Sequence, residues 1–330
     1  MPECVLGIES TAHTFSASVV SSRGEILSNV KSVYKPPSGS GIHPFNASRG
    51  HLAAGPGVVM QSLGDAGVEP GGLAAVCYSM GPGLGPCLRI GAVVARTLAA
   101  SLGVPLVPVN HAIGHIELGC LLTKCSDPLV LLVSGGHSMV IAYAGRRWRI
   151  LGESLDLTLG QLLDQFGRAA GLASPCGRGI EQAASRSSRF ISLPYTVKGN
   201  DVAYSGLLTS AKKLLERGVE FEDAAYSLQE TAFAMIVEVA ERALAFTGKK
   251  EVMAVGGVAA NRRLAEMMKI MSRRHTASLR VVPIEYSGDC GAQIAWTGYL
   301  AYRSGVSVPV ASSSVKQSWR LDTVDIPWRN

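Results

Sequence analysis

The spacing of apolar and polar residues changes several times along the first third of the chain. CVLGIES (4–10) and FSASVVSSRGEILSNVKSV (15–33) predict three short β-strands, with a tight turn at 22–24. Helical spacing follows over about 47–63. AAVCYSMGPGLGPCLRIGAVVARTLAASLG then predicts a strand, a glycine loop and an amphipathic helix. PLVPVNHAIGHIELGCLL predicts a strand leading into a helix that begins near Asn110.

A second passage repeats this order of elements. DPLVLLVSGGHSMVIAYAGRRWRILGES again predicts three strands, with a polar glycine turn and a hairpin turn at 145–147. KEVMAVGGV predicts another strand, and helical spacing is found at about 160–172, 206–217, 223–247, 258–275 and 290–303. Two copies of strand hairpins plus helices predict a duplicated α/β domain with a cleft between its halves. We expect an N-terminal subdomain over 1–126, a C-terminal subdomain over 127–303, and a segment of about 304–330 that packs back on the first subdomain.

Composition limits the class of protein. The chain has 330 residues, 47% of them hydrophobic and 17% charged, which is typical of a globular protein and argues against disorder. Its formal charge of +6 is compatible with a polyanionic partner, but the basic groups 212–213, 262–263 and 273–275 are equally typical of solvated helix faces. Seven scattered cysteines without a CxxC pair indicate a reducing, cytoplasmic environment, and no apolar run approaches the length of a membrane span.

Three turns of small residues each follow an apolar strand. They are IESTAHT (8–14), VSGGHS (133–138) and VGGVAANRR (255–263). Backbone N–H groups exposed at such turns suit anionic oxygens. Two of the turns occupy equivalent places in the repeat, as in the architecture shared by actin, sugar kinases and heat-shock chaperones. They predict a nucleotide in the interdomain cleft, although no Walker A motif is present.

A pair of histidines in NHAIGHIELG is the main candidate for metal chemistry. His111 and His115, four residues apart on one helix face, could share one metal ion, or could simply pack at a cleft. Ala112 stands where a zinc protease of the HExxH type has its catalytic glutamate, and Glu117 is expected to be an ordinary carboxylate on the helix face. The best third ligand by chemistry is Asp289 in SGDCGAQ, and two histidines with a carboxylate suit iron or zinc.

Several motifs together resemble one family closely, the tRNA N6-adenosine threonylcarbamoyltransferases (the TsaD / KEOPS catalytic-subunit family). The matching stretches span residues 7–299 in the family's order: GIESTAHT, NHAIGH, LVSGGHS, GQLLDQFGR, PCGRGIE, YSGLLTSAKK, SLQETAFAMIVEV, VGGVAANRRL and SGDCGAQIAWTGY. The wording of TAHT and GHIELG is more similar to the archaeal and eukaryotic branch, whereas LLVSGGHS is similar to bacterial members.

This resemblance implies a two-domain actin-like (ASKHA) fold with a nucleotide and metal cleft. It implies transfer of a threonylcarbamoyl group from threonylcarbamoyl-AMP to N6 of the adenosine 3′ of the anticodon, in tRNAs that read A-starting codons. It places a divalent metal, iron in preference to zinc, on His111, His115 and Asp289. It places the nucleotide against the following residues: Leu132, Val133, Ser134, Gly135, Gly136, Asp164, Gly177, Glu181 and Asn261. The implied partners are tRNA and KEOPS-type subunits, including a small kinase-like ATPase, with no membrane.

Three positions depart from the family's usual pattern. Leu132 replaces a tyrosine common in archaeal members, Cys290 replaces an asparagine, and Phe45 replaces an arginine. Other functions compatible with the motifs are a metallo-endopeptidase, a label once given to this family, a sugar or acetate kinase of the same fold, and a nucleotide-binding paralogue without activity. The missing HExxH glutamate argues against the first, and the histidine pair with Asp289 argues against the other two.

Overall fold

The computed structural model describes residues 2–37 and 40–329. Met1 and Asn330, the first and last residues of the predicted ranges, lie outside the described residues. The first half of the chain forms a five-stranded sheet and three helices. Its elements are β1 (Cys4–Glu9), β2 (Thr14–Ser21), β3 (Val30–Val33), α1 (Pro44–Ala66), β4 (Leu73–Gly81), α2 (Gly85–Leu102), β5 (Leu106–Asn110) and α3 (His111–Thr123).

The second half forms another five-stranded sheet and a larger set of helices. Its elements are β6 (Leu129–Val133), β7 (Ser138–Ala144), β8 (Arg147–Glu153), α4 (Leu159–Ala169), α5 (Gly177–Ala184), β9 (Val197–Lys198), β10 (Asp201–Val202), α6 (Ser205–Glu216), α7 (Phe221–Thr247), β11 (Glu251–Val255), α8 (Arg262–Arg274), β12 (Ser278–Val281), α9 (Ile284–Ser287) and α10 (Gly291–Arg303). Among the residues described, no helix is both long and apolar enough to cross a membrane.

The two large sheets have the same topology. The first has the strand order β3-β2-β1-β4-β5 and the second β8-β7-β6-β11-β12. In each sheet the first three strands of the half are antiparallel neighbours. The next strand pairs parallel to the first, and the last strand pairs parallel to that one. The predicted duplication is therefore confirmed, because each half repeats one folding pattern.

The helix that ends each half packs against the sheet of the other half. Helix α3 contributes Ile113 and Ile116 to a cluster with Val130 and Leu132 of the second sheet. Helix α10 contributes Ile294 to a cluster with strands of the first sheet and lies directly on β1 and β4. The sequence prediction ends the C-terminal subdomain at residue 303, whereas the packing of α10 joins 291–303 to the first sheet.

The segment 304–329, here called the C-terminal strap, runs over both halves. Val315 and Trp319 pack on the core of the first sheet. Further on, Leu321 and Ile326 are buried in the core that includes the second sheet. The prediction did not include this second contact.

The end of the strap gives Glu117 a partner. Arg329 lies on the Glu117 carboxylate, with Nε 2.8 Å from Oε1 and Nη2 2.9 Å from Oε2, and Trp148 donates its indole N–H to the same carboxylate at 3.0 Å. The side chain of Glu117 is 3% exposed. The expectation of an ordinary helix-face carboxylate was therefore wrong, because α3 is covered on this side by β8 and the strap.

Candidate functional site

Helix α3 brings the two histidines into the centre of the molecule. The side chain of Asn110 caps the helix by accepting hydrogen bonds from the N–H groups of Ala112 and Ile113, as the sequence predicts for a helix that begins there. The Asn110 amide also donates to the carbonyl of Trp319 in the strap. His111 and His115 lie one turn apart and are both buried. Their rings meet edge to face with centroids 4.7 Å apart.

Asp289 reaches the same point from the turn before α10. Its Oδ1 lies 3.6 Å from Nε2 of His111 and 3.4 Å from Nε2 of His115. One ligand atom from each of the three residues lies within 4.8 Å of the others. The structure therefore brings together the histidine pair and the aspartate, which are separated by most of the chain.

A second set of residues, which the sequence prediction did not identify, contacts the Nδ1 side of the His111 ring. The Nδ1 atom of His111 lies 2.9 Å from Oε2 of Glu9, 3.0 Å from Nε2 of Gln293 and 3.3 Å from Oγ1 of Thr11. Glu9 is fully buried. If Nδ1 carries the proton that Glu9 accepts, the lone pair of Nε2 points toward Asp289, which is the usual arrangement of a histidine metal ligand. The sequence feature that could have identified Glu9 is its position as a carboxylate at the end of an otherwise apolar strand.

The electrostatics of the cluster favour a cation between its members. Burial disfavours the charged imidazole of His111, but Glu9 and Asp289 outweigh it and raise its pKa to about 9. The pKa of His115 is instead lowered by burial, although Asp289 opposes this. Burial also disfavours the Asp289 carboxylate, but the two histidines hold its pKa well below the usual value. Two buried histidines and one carboxylate, with the charge of Glu9 behind them, are a donor set that suits a divalent metal.

One atom of the cluster is without a hydrogen bond. Nε2 of His115 is buried and, in the described part of the chain, has no partner in acceptable hydrogen-bond geometry, since its 3.4 Å contact with Asp289 is poorly directed. A buried imidazole nitrogen normally finds a partner. A metal ion would satisfy it, so the residues present fit such an ion.

The second of the small-residue turns also reaches this cluster. The ring of His137 stacks on that of His111 with centroids 5.9 Å apart. Burial, reinforced by the two nearby histidines, lowers the pKa of His137 to about 3, so that its imidazole is neutral. The first turn contributes Thr11, and the third packs on the second, because Gly256 approaches the Val133 carbonyl too closely for a Cβ atom. The first two turns therefore both contact His111, and the third packs on the second.

The glycines of the second turn face open space. Nothing lies within 4 Å of where a Cβ atom would stand on Gly135 or Gly136. The hydroxyl of Ser134 shapes the turn by accepting hydrogen bonds from the N–H groups of Gly136 and His137. Leu132 and Val133 differ from these residues, since their side chains are fully buried in separate cores on the two faces of β6. Any contact they make with a ligand comes from backbone atoms.

The remaining candidate residues form a connected frame. Asp164 accepts hydrogen bonds from Cys176 N–H and the Ser174 hydroxyl, immediately before Gly177. Glu181 accepts the Arg262 N–H at 2.8 Å, and the side chain of Asn261 caps α8. These contacts tie α4 to the loop before α5, and α5 to the start of α8.

Cys290, next to Asp289, is a buried thiol. Its side chain is fully buried, and burial raises its pKa to about 11. A thiol that remains protonated is a poor metal ligand. Asp289 is therefore the stronger candidate ligand that this turn presents.

Comparison with solved structures supports the fold. HypF of T. kodakarensis superposes with a TM-score of 0.63 over 92% of this chain and 48% of its own, at 15% identity. The activator of the 2-hydroxyisocaproyl-CoA dehydratase from Clostridium difficile superposes with a TM-score of 0.55 over 92% of this chain and 97% of its own, at 12% identity. These similarities, with the repeated sheet topology, confirm the predicted duplicated actin-like (ASKHA) fold.

Comparison of sequences goes further. A protein of Caldivirga maquilingensis called tRNA N6-adenosine threonylcarbamoyltransferase is 49% identical over 98% of this chain and 98% of its own. A protein of the same name from Thermofilum pendens is 50% identical over 99% of this chain and 97% of its own. The family model for tRNA N6-adenosine threonylcarbamoyltransferase matches residues 25–296. The chain therefore belongs to the tRNA N6-adenosine threonylcarbamoyltransferase family and is a transferase of tRNA threonylcarbamoyladenosine biosynthesis.

Proposed function

We propose that the chain transfers the threonylcarbamoyl group of threonylcarbamoyl-AMP to N6 of the adenosine 3′ of the anticodon, in tRNAs that read A-starting codons. The N6 nitrogen bonds to the carbamoyl carbon, the bond from that carbon to the phosphate oxygen breaks, and AMP leaves with the electron pair while N6 loses a proton. The observation that carries the proposal is the convergence of His111, His115 and Asp289 beside the open turn at Gly135 and Gly136.

In this proposal His111, His115 and Asp289 hold one divalent metal ion, iron in preference to zinc. Such an ion supplies a Lewis acid that polarises an oxygen of the adenylate. Glu9 fixes the orientation of His111 through Nδ1, at 2.9 Å, and thereby directs Nε2 toward Asp289. Thr11 and Gln293 restrict the same ring from either side.

The nucleotide portion occupies the cleft next to this cluster. The backbone at Ser134, Gly135 and Gly136 approaches the phosphate, because glycine leaves space and exposed N–H groups there. The rim formed by Asp164, Gly177, Glu181 and Asn261 contacts the nucleoside, with backbone contacts from Leu132 and Val133 closing the inner wall. Binding the adenylate rigidly beside the entering amine lowers the entropic part of the barrier.

The proposed partners are tRNA and KEOPS-type subunits, including a small kinase-like ATPase. The net charge of +6 supports a polyanionic substrate. The sequence relatives support the assignment of tRNA as the acceptor, since they carry the transferase name over nearly the whole chain.

The test is reconstitution of the reaction. The chain is incubated with ATP, threonine, bicarbonate, a threonylcarbamoyl-adenylate synthase, tRNA and the partner subunits, and modified adenosine is measured by mass spectrometry. We expect His111→Ala to abolish turnover and Glu9→Gln to weaken metal binding by roughly 10- to 100-fold, as removal of a supporting hydrogen bond does elsewhere.

Cys290→Asn is the matched control, since it changes the neighbour of Asp289 without removing a proposed ligand. It should retain turnover and metal content. Full turnover in His111→Ala would contradict the metal role, and degradation of casein by the purified chain would instead support the peptidase alternative.

A further inference from the structure

A basic groove lies between helix α8 and the edge strand β12. Its walls include Arg262, Lys269 and Arg273 from the helix and Ser278 from the strand. The three cationic residues are spaced by seven and four positions, which places them on one face of the helix. From Arg262 to Arg273 this face extends about 16 Å at the helical rise per residue, enough to meet more than one phosphate of a nucleic-acid strand.

The positive charge of this groove is not neutralised internally. Arg262, Lys269 and Arg273 are exposed and, within residues 2–37 and 40–329, form no ion pair. Glu266, the acidic residue of the groove, is 2.7 Å from Nη1 of Arg263. Arg263 also forms two hydrogen bonds of 2.7 Å with Glu230. Both acidic residues thus pair with Arg263 and leave the three groove cations unpaired within the described residues.

The groove also contains a polar group without a partner. Ser272 lines it and is 1% exposed, and its hydroxyl has no hydrogen-bond partner among the described residues. The exposed cations, and not this buried hydroxyl, are therefore the groups that can meet a phosphate.

The groove begins at the proposed nucleotide site. Helix α8 starts immediately after Asn261, and the Arg262 N–H donates to Glu181. A strand lying along the groove would therefore lead toward the proposed nucleotide site. Exposed arginine and lysine side chains are typical phosphate partners, so the contact we consider is with phosphates.

We infer that the α8–β12 groove binds the phosphate backbone of the tRNA and guides the anticodon region toward the cleft. This inference rests on the proposed function, because it takes tRNA as the acceptor. Since phosphates are common to all tRNAs, the groove contributes affinity equally to cognate and non-cognate tRNA, and substrate choice is made elsewhere.

The test compares three forms of the full-length chain. They are the unchanged protein, the groove variant Arg262→Gln/Lys269→Gln/Arg273→Gln, and a charge-matched control. The control, Lys212→Gln/Lys213→Gln/Arg217→Gln, changes two residues of helix α6 and the residue that follows it. Binding of fluorescent tRNA is measured from low to moderate salt. Loss of three phosphate contacts should reduce the slope of log Kd against log salt by about 2, at roughly 0.7–0.9 per contact, with an equal loss for cognate and non-cognate tRNA. The control should retain the original slope.

A second measurement separates the inference from the proposed function. In the reconstituted reaction the groove variant should have a raised KM for tRNA and an unchanged kcat at saturating tRNA. If the unchanged protein forms modified adenosine but the groove variant keeps its tRNA affinity and salt slope, the inference is wrong and the proposed function stands. If the unchanged protein forms no product while the groove variant loses tRNA binding, the groove is a tRNA-binding surface and the proposed function is wrong. The inference would also be overturned if the α6 control lost as much tRNA affinity as the groove variant. The same holds if the groove variant lost binding of a partner subunit but kept tRNA binding.

Discussion

Two buried glutamates near the histidine pair make different contacts. Glu9 is fully buried and orients His111, whereas Glu117, on the same helix as the histidine pair, binds Arg329 and Trp148. Both lie in apolar stretches of the sequence, so their surroundings in the chain do not distinguish them. The difference comes from contacts made by residues far away in sequence.

The Glu117–Arg329 pair gives a prediction for stability. Arg329→Met leaves the Glu117 carboxylate buried without its cation, and the expected cost is about 3 kcal/mol of unfolding free energy. Adding Glu117→Gln removes that charge while keeping an acceptor for the Trp148 indole, and should recover most of the loss. Denaturant unfolding of the two variants measures both effects. An equal loss in the single and double variants would show that packing of Arg329 over the Trp148 ring, at 4.8 Å, matters more than its charge.

At the level of elements, close backbone approach fixes α10 on the first sheet. A Cβ atom on Gly7 would stand 2.2 Å from the Ala295 nitrogen and 2.5 Å from the Gly291 carbonyl oxygen. Strand β1 and helix α10 can therefore pack at this distance only because residue 7 lacks a side chain. The position of Asp289, two residues before α10, depends on this contact.

Substitution of Gly7 tests that dependence. Gly7→Ala should destabilise the chain by about 3 kcal/mol or more, because neither backbone can yield without moving the helix. Gly206→Ala is the matched control: it lies in helix α6 with nothing within 4 Å of the added Cβ atom, and should stabilise the chain by roughly 0.5–1 kcal/mol. Thermal unfolding measures both, and a Gly7→Ala protein as stable as the control would contradict the packing argument.

Most elements, but not all their ends, could be predicted from the sequence. The strand runs and the long helices stand out by their periodicity, and Asn110 was found as the start of α3. The predicted helix at 258–275 instead begins at Arg262, because Asn261 caps it after a short 3₁₀ turn over 257–260. Helix α5 was missed, since its GRGIEQAA sequence is short and rich in glycine.

At the scale of the molecule, the site is made by exchange between the halves. Helix α3 ends the first half and packs on the second sheet, whereas α10 ends the second half and packs on the first. The two helices meet, and their N-terminal ends bring His111, His115 and Asp289 together. Sequence patterns indicate which residues could bind a metal by their chemistry, but they do not encode this crossing. The third ligand could be proposed from residue type and family resemblance only.

The exchange predicts that metal binding stabilises the whole fold. A metal ion that binds the folded chain alone raises the unfolding free energy by about 2.7 kcal/mol when its free concentration is 100 times Kd. Cobalt(II) is a suitable probe, added to the metal-free chain under reducing conditions. His115→Ala is the matched reference, since it keeps all seven cysteines and hence the same thiol binding in the unfolded chain. The unchanged protein should gain stability with cobalt while His115→Ala gains little. An equal gain in stability in the unchanged protein and in His115→Ala would show that cobalt binds away from the two helices. The packing of α3 against α10 would then not serve to assemble a metal site from these three side chains.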